Sequence, residues 1–115
     1  KALSVREKSD LDRVAAYAGV ADRLLFDAKP PKGTELPGGN GMAFDWRLLT
    51  GVDPATPYML SGGLNAANIA EAIAIARPLG IDISSGVESA PGVKDVRLIE
   101  AFFRAVAAAR KNRAA

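Results

Sequence analysis

This chain of 115 residues contains no cysteine and no histidine. The first absence excludes a disulfide framework, cysteine-ligated zinc and thiol catalysis from these residues. The second excludes a Ser-His-Asp triad and a histidine-ligated metal site built within the chain. Aromatic residues make up only 6% and are not interleaved with a basic stripe, so nucleic acid is not an expected partner. No apolar run reaches the length that spans a bilayer and no signal peptide is visible, so no membrane role is expected. Charge of one sign is also scarce, with a net value of +2. The one basic cluster, Arg110-Lys111-Asn112-Arg113, stands where cations favour the end of a helix. The numbering opens on Lys1 rather than Met, so the natural start was removed or lies outside it.

What is present fits a single α/β domain over residues 1–115, with 49% apolar and 24% charged residues. Short apolar runs alternate with helical patterns. Ala2-Leu3-Ser4-Val5 is the first strand candidate. Ser9 is the expected cap of a helix from about Asp10 to Ala18, stopped by Gly19. Arg23 to Asp27 is the second strand, nearly continuous in apolar residues. A loop from Ala28 to Phe44 then holds three prolines and four glycines, and loops of that length are usually functional. A short helix is expected at Asp45–Leu49 and a third strand at Tyr58–Ser61. Ile69, Ala72, Ile73 and Ala76 have the spacing of one helical face, started by Asn65 or Asn68 and ended by Pro78 and Gly80. Ile81 to Ser84 reads as a fourth strand. Pro91-Gly92 reads as a turn, and Asp95 as the cap of a last helix with Leu98, Ile99, Phe102, Phe103 and Val106 on its buried face.

Four consecutive βα units predict four parallel strands in chain order, with helices on one face. A full (β/α)8 barrel needs about 250 residues, so this chain is close to half of one. A four-stranded open α/β sandwich is the competing architecture.

Ligands in α/β folds gather at the carboxyl ends of the strands. There the sequence places Asp27, then Ser61-Gly62-Gly63, then Asp82 with Ser84-Ser85-Gly86. Glycine pairs ahead of a helix let backbone amides approach an anion, and the serines add hydroxyls. One such turn is more simply a tight turn, whereas two of them on the last two strands favour a phosphate over turn-making alone. Asp27 can act as a general acid, or can simply pair with Lys29. Asp82 can bind a substrate hydroxyl or brace its loop. Gly38-Gly39-Asn40-Gly41 can form a mobile lid or a solvated loop.

Phe26-Asp27-Ala28-Lys29, Leu36-Pro37-Gly38-Gly39-Asn40-Gly41 and Phe44-Asp45-Trp46 resemble the sixth-strand segment of phosphoribosylanthranilate isomerases. Leu60-Ser61-Gly62-Gly63-Leu64-Asn65 resembles their seventh-strand loop. Asp82 to Glu88, with Pro91-Gly92-Val93-Lys94-Asp95, resembles their eighth-strand signature. The resemblance implies the C-terminal half of a (β/α)8 TIM barrel, strands five to eight. It also implies an Amadori rearrangement in tryptophan biosynthesis: an acid opens the furanose ring, and a base removes the C2 proton. Asp27 matches the family's acid. Gly62, Gly63, Ser84, Ser85 and Gly86 match its phosphate contacts, with Asp82 beside them. No metal or organic cofactor is implied. The expected partners are a small phosphorylated substrate and the N-terminal half of the same barrel, in the cytoplasm.

The family's base is a cysteine on strand one, and an arginine from strand two helps to hold the substrate. Neither is in this chain, which alone is expected to be inactive. The other readings are a non-catalytic half-barrel that assembles with itself or with a complementary half, and another phosphate-binding barrel such as indole-glycerol-phosphate synthase or ribulose-phosphate epimerase.

Overall fold

A computed structural model of the chain describes residues 1–17, 19–29, 44–52 and 56–114. The candidate lid residues Gly38, Gly39, Asn40 and Gly41 lie outside the described residues. Four strands, β1 (Ala2–Val5), β2 (Leu24–Ala28), β3 (Tyr58–Ser61) and β4 (Gly80–Ile81), pair in parallel and in chain order. Their register sets Leu3, Phe26, Leu60 and Ile81 in one row across the sheet.

Alternate strand residues are buried: Leu3, Val5, Leu24, Phe26, Ala28, Tyr58 and Leu60. They share one core with Ile69, Ala72, Ile73 and Phe102 of the helices. The intervening Leu25, Asp27, Met59 and Ser61 are only half-buried, so the helices cover one face of the sheet. Phe26 stacks on Tyr58 with ring centroids 4.6 Å apart and 28° between planes. Burial pushes the Tyr58 hydroxyl up to about 12, and it donates to the Ala76 carbonyl at the end of the helix above.

The connections depart from expectation in instructive ways. The first is mostly a 3-10 helix, Lys8–Arg13, passing into one turn of α-helix, α1 (Val14–Tyr17). Ser9 lies inside it and does not cap it. The cap is made by Glu7 with Asp10, whose carboxylate accepts from the Arg6 and Glu7 amides at 2.8 and 3.1 Å. One carboxylate accepts from two amides at the helix entrance here, as in a capping box, which a single serine acceptor does less well. The segment Trp46–Gly51 is also 3-10, capped by Asp45, which accepts from the Arg47 amide at 3.0 Å.

Helix α2 (Ile69–Ala76) buries Ile69, Ala72, Ile73 and Ala76, the face predicted from spacing. It ends where Arg77 turns left-handed, at φ 49° and ψ 54°, ahead of Pro78. Strand β4 is shorter than the predicted Ile81–Ser84, although the Asp82 amide still donates to the Leu60 carbonyl at 2.8 Å. After it come a 3-10 turn (Ser85–Val87) and an antiparallel hairpin, β5 (Glu88–Ala90) with β6 (Val93–Lys94). Of this hairpin the sequence predicts only the turn at Pro91-Gly92. Helix α3 (Val96–Ala114) follows, with Asp95 accepting from the Arg97 amide at 2.8 Å. Its inner stripe is Ile99, Phe102, Val106 and Ala109. Phe103, at 67% exposed, and Leu98, at 36%, fall off that stripe, because successive helical residues are 100° apart.

Candidate functional site

At the carboxyl ends of β2, β3 and β4 lies a cleft of about 190 Å³. Asp27, Gly62, Gly63, Asp82, Ser84, Ser85 and Gly86, the acid and phosphate-site candidates of the sequence, all line it. Ser61, Leu64 and Ile83 complete the wall. A larger cavity of about 900 Å³ opens at the amino ends of β3 and β4, beside Arg77 and Arg110. Volume does not decide between them. The smaller cleft holds the carboxylates, hydroxyls and glycine turns that can do chemistry, at the end of the sheet where α/β folds place it.

Two glycines bring the strand ends this close. Gly62 has φ +96°, and a Cβ there would lie 2.2 Å from the Ala28 carbonyl oxygen and 2.8 Å from Asp27 Oδ1. Gly86 abuts the preceding turn, where a Cβ would lie 1.9 Å from the Leu64 carbonyl oxygen. Any side chain at either position would separate neighbouring strand ends.

The polar groups are held from outside the cleft as well as within it. Lys29 Nζ meets Asp27 Oδ2 at 2.9 Å, both side chains being about a third exposed. The Lys29 amide donates to the Val5 carbonyl at 2.8 Å, which continues the strand ladder and keeps Lys29 on the same face as Asp27. Ser61 Oγ donates to Asp82 Oδ2 at 3.5 Å. Asn65 and Asn68 cap each other: Asn65 Oδ1 accepts from the Asn68 amide at 3.0 Å, and Asn68 Oδ1 accepts from the Asn65 amide at 2.9 Å. Asn68 Nδ2 donates to the Gly63 carbonyl at 2.8 Å, so the start of α2 is tied to the glycine turn. That helix terminus faces the turn with its positive end.

Sequence reasoning places Ser61 at the strand end without giving it a role, and does not assign Asn68 or Lys94 to the site. The Asn65-x-x-Asn68 spacing, that of a capping box, is the available signal for Asn68. Lys94 Nζ lies 3.2 Å from both the Ser84 carbonyl oxygen and Ser84 Oγ, and it also bonds Glu88. The Lys94 ammonium, and after it the Gly92 amide, hold the Glu88 carboxyl below its usual range. No cluster of three or more potential metal ligands occurs among the described residues.

Parallel βα units with an acid and two glycine turns gathered at one end of the sheet fit the (β/α)-barrel class, to which the structural neighbours belong. Within it, the model of the N-(5'-phosphoribosyl)anthranilate (PRA) isomerase family matches residues 1–105, and the chain belongs to that family. It is 70% identical over 115 residues to the N-(5'-phosphoribosyl)anthranilate isomerase of Mesorhizobium japonicum, covering all of this chain and 52% of that protein. It is 68% identical over 113 residues to that of a Chelativorans species, covering 98% and 52%. The phosphoribosylanthranilate isomerase structure from Thermotoga maritima superposes with a TM-score of 0.76 at 38% identity, over 91% of this chain and 49% of that one. A second isomerase structure, in complex with reduced 1-(o-carboxyphenylamino)-1-deoxyribulose 5-phosphate, gives 0.68 at 33% identity, over 90% and 45%. The chain thus spans about half the length of the relatives it matches.

Proposed function

We propose that this chain forms strands five to eight of an N-(5'-phosphoribosyl)anthranilate isomerase barrel and carries its general acid and its phosphate site. The observation that carries this reading is the cleft itself, where Asp27 lies against Gly62 and opposite the Ser84-Ser85-Gly86 turn. The phosphate sits on the backbone amides of Gly62, Gly63, Ser85 and Gly86 and on the serine hydroxyls, aided by the start of α2. Of the two carboxyls that line the cleft, Asp27 and Asp82, Asp27 is the one that matches the family's acid. It delivers its proton to the furanose oxygen, the C1–O bond opens, and a Schiff base forms at C1. Loss of the C2 proton gives an enolamine, which tautomerises to the ketone of the product. The base that removes that proton, and the cation that meets the ring carboxylate, come from the rest of the barrel. The partners are therefore the phosphorylated substrate and the complementary half. A charged metabolite of this kind fits a cytoplasmic setting.

A structural role for Asp27 is the second reading, and its ion pair with Lys29 favours it. Such a pair, so open to water, contributes only about 0–1 kcal/mol to stability. The substitution Asp27→Asn, made in the complete isomerase, separates the two. It keeps the shape and removes the proton, so turnover should fall by about 10²–10⁴. Near-normal turnover would leave Asp27 as the partner of Lys29 and no more.

A further inference from the structure

We infer that Lys94 is a positioning residue for the phosphate turn, acting through Ser84 and not by touching the ligand. At Ser84 the chain leaves its extended path, with φ −134° and ψ −82°. The Ser84 carbonyl accepts from the Val87 amide at 3.2 Å, which closes the 3-10 turn, and from Lys94 Nζ at 3.2 Å. The same ammonium fixes the Ser84 hydroxyl. Lys94 is itself tied to Glu88, whose side chain is only 12% exposed and accepts from the Gly92 amide at 3.0 Å. The hairpin turn thus orients Glu88, Glu88 orients Lys94, and Lys94 orients Ser84. The first amides of a helical turn have no acceptor inside it, so the orientation of Ser84 aims those of Ser85 and Gly86 into the cleft. The β5–β6 hairpin thereby holds an anion-binding turn ready before the anion arrives.

The inference rests on the phosphate reading above, and one experiment tests the two separately. Inorganic phosphate is used as a competitive inhibitor of the complete isomerase, with KM and kcat measured alongside. In Lys94→Met, the inhibition constant and KM should both rise about tenfold, the effect of one misplaced contact, with kcat nearly unchanged. Lys94→Arg should recover part of the loss. A purely structural lysine would instead lower the active fraction, reducing kcat and leaving both constants where they were; that outcome overturns the proposal. Glu88→Gln keeps the shape but weakens the hold on Lys94, so it carries the test if Lys94→Met does not fold, and unchanged phosphate inhibition there also overturns it. Gly63→Asp puts a negative charge in the cleft. Undiminished phosphate inhibition in that variant sinks the phosphate reading itself. If Gly63→Asp abolishes inhibition while folded Lys94→Met does not alter it, only the role of Lys94 fails.

Discussion

Replacing Gly86 with alanine puts a single methyl group where the third and fourth strand ends touch. The new Cβ would stand 1.9 Å from the Leu64 carbonyl oxygen and 3.1 Å from Ile83 Cδ1. The isoleucine methyl can turn away. The carbonyl belongs to a residue only 3% exposed, so its retreat has to push through the core. An ordinary carbon–oxygen contact is about 3.3–3.6 Å, so from 1.9 Å the two turns must part by about 1.4–1.7 Å. Overpacking on that scale costs about 1–3 kcal/mol. In a barrel of 150–250 residues that lowers the melting temperature by about 2–12 °C. Displacement of a binding turn by about 1 Å can also cost up to about 10²-fold in catalysis. The assay is a thermal melt, together with phosphate inhibition and kcat/KM, on the complete isomerase. Gly51→Ala is the control, because a Cβ there meets nothing within 4 Å. Gly63→Ala separates backbone strain from crowding: its φ is +65° but its surroundings are open, so it should cost about 1–2 kcal/mol from conformation alone. If Gly86→Ala melted and bound phosphate like Gly51→Ala, the account of the interlocked strand ends would be wrong.

The other expectations are more local. Asp27→Asn should lower turnover by about 10²–10⁴ and leave the melt nearly unchanged. Lys94→Met should weaken phosphate about tenfold without a matching loss of kcat. Phe26→Ala removes a fully buried ring that stacks on Tyr58, and should cost about 3–5 kcal/mol in a urea titration. Glu88, held below its ordinary 4.5 by Lys94 and the Gly92 amide, stabilises the fold above that pH. The contribution fades as pH falls through the lower, folded value, so Glu88→Gln should flatten the acid limb of the melting curve below about pH 4.5. An unchanged acid limb would remove Glu88 from the hairpin's support.

Much of this architecture is legible in the residues. Ala2–Val5 and Tyr58–Ser61 match the predicted strands to the residue, and β2 is displaced by one. Their apolar runs are short and carry no competing helical period, and Pro57 and Gly62 bound Tyr58–Ser61 on both sides. The face of α2 is equally clear from Ile69, Ala72, Ile73 and Ala76. The fourth strand reads too long, because Ile81-Asp82-Ile83 alternates like a strand while only Gly80 and Ile81 pair as one. The hairpin escapes notice because its strands have three and two residues, too few for a period, and depend on the Glu88–Lys94 contact. The start of the first helix is misleading because an acid three residues beyond Glu7 caps it, where Ser9 offers the more familiar signal. At the site, residue type and strand-end position are enough to bring seven candidates to one cleft. The supporting Asn68 and Lys94 act through backbone carbonyls, and no local pattern announces which carbonyl a side chain will reach.

The glycine contacts have a consequence for how such a site can change. Gly62 seats the third strand end on the second, and Gly86 seats the fourth on the turn after the third. The frame is therefore set by positions that bear no side chain, while Asp27 and Asp82 project from it without being part of the joint. Exchanging those side chains alters the reagents and leaves the spacing intact; exchanging the glycines alters the spacing under every reagent at once. A lineage or a designer seeking new chemistry on this sheet has free play at the projecting residues and almost none at the joints.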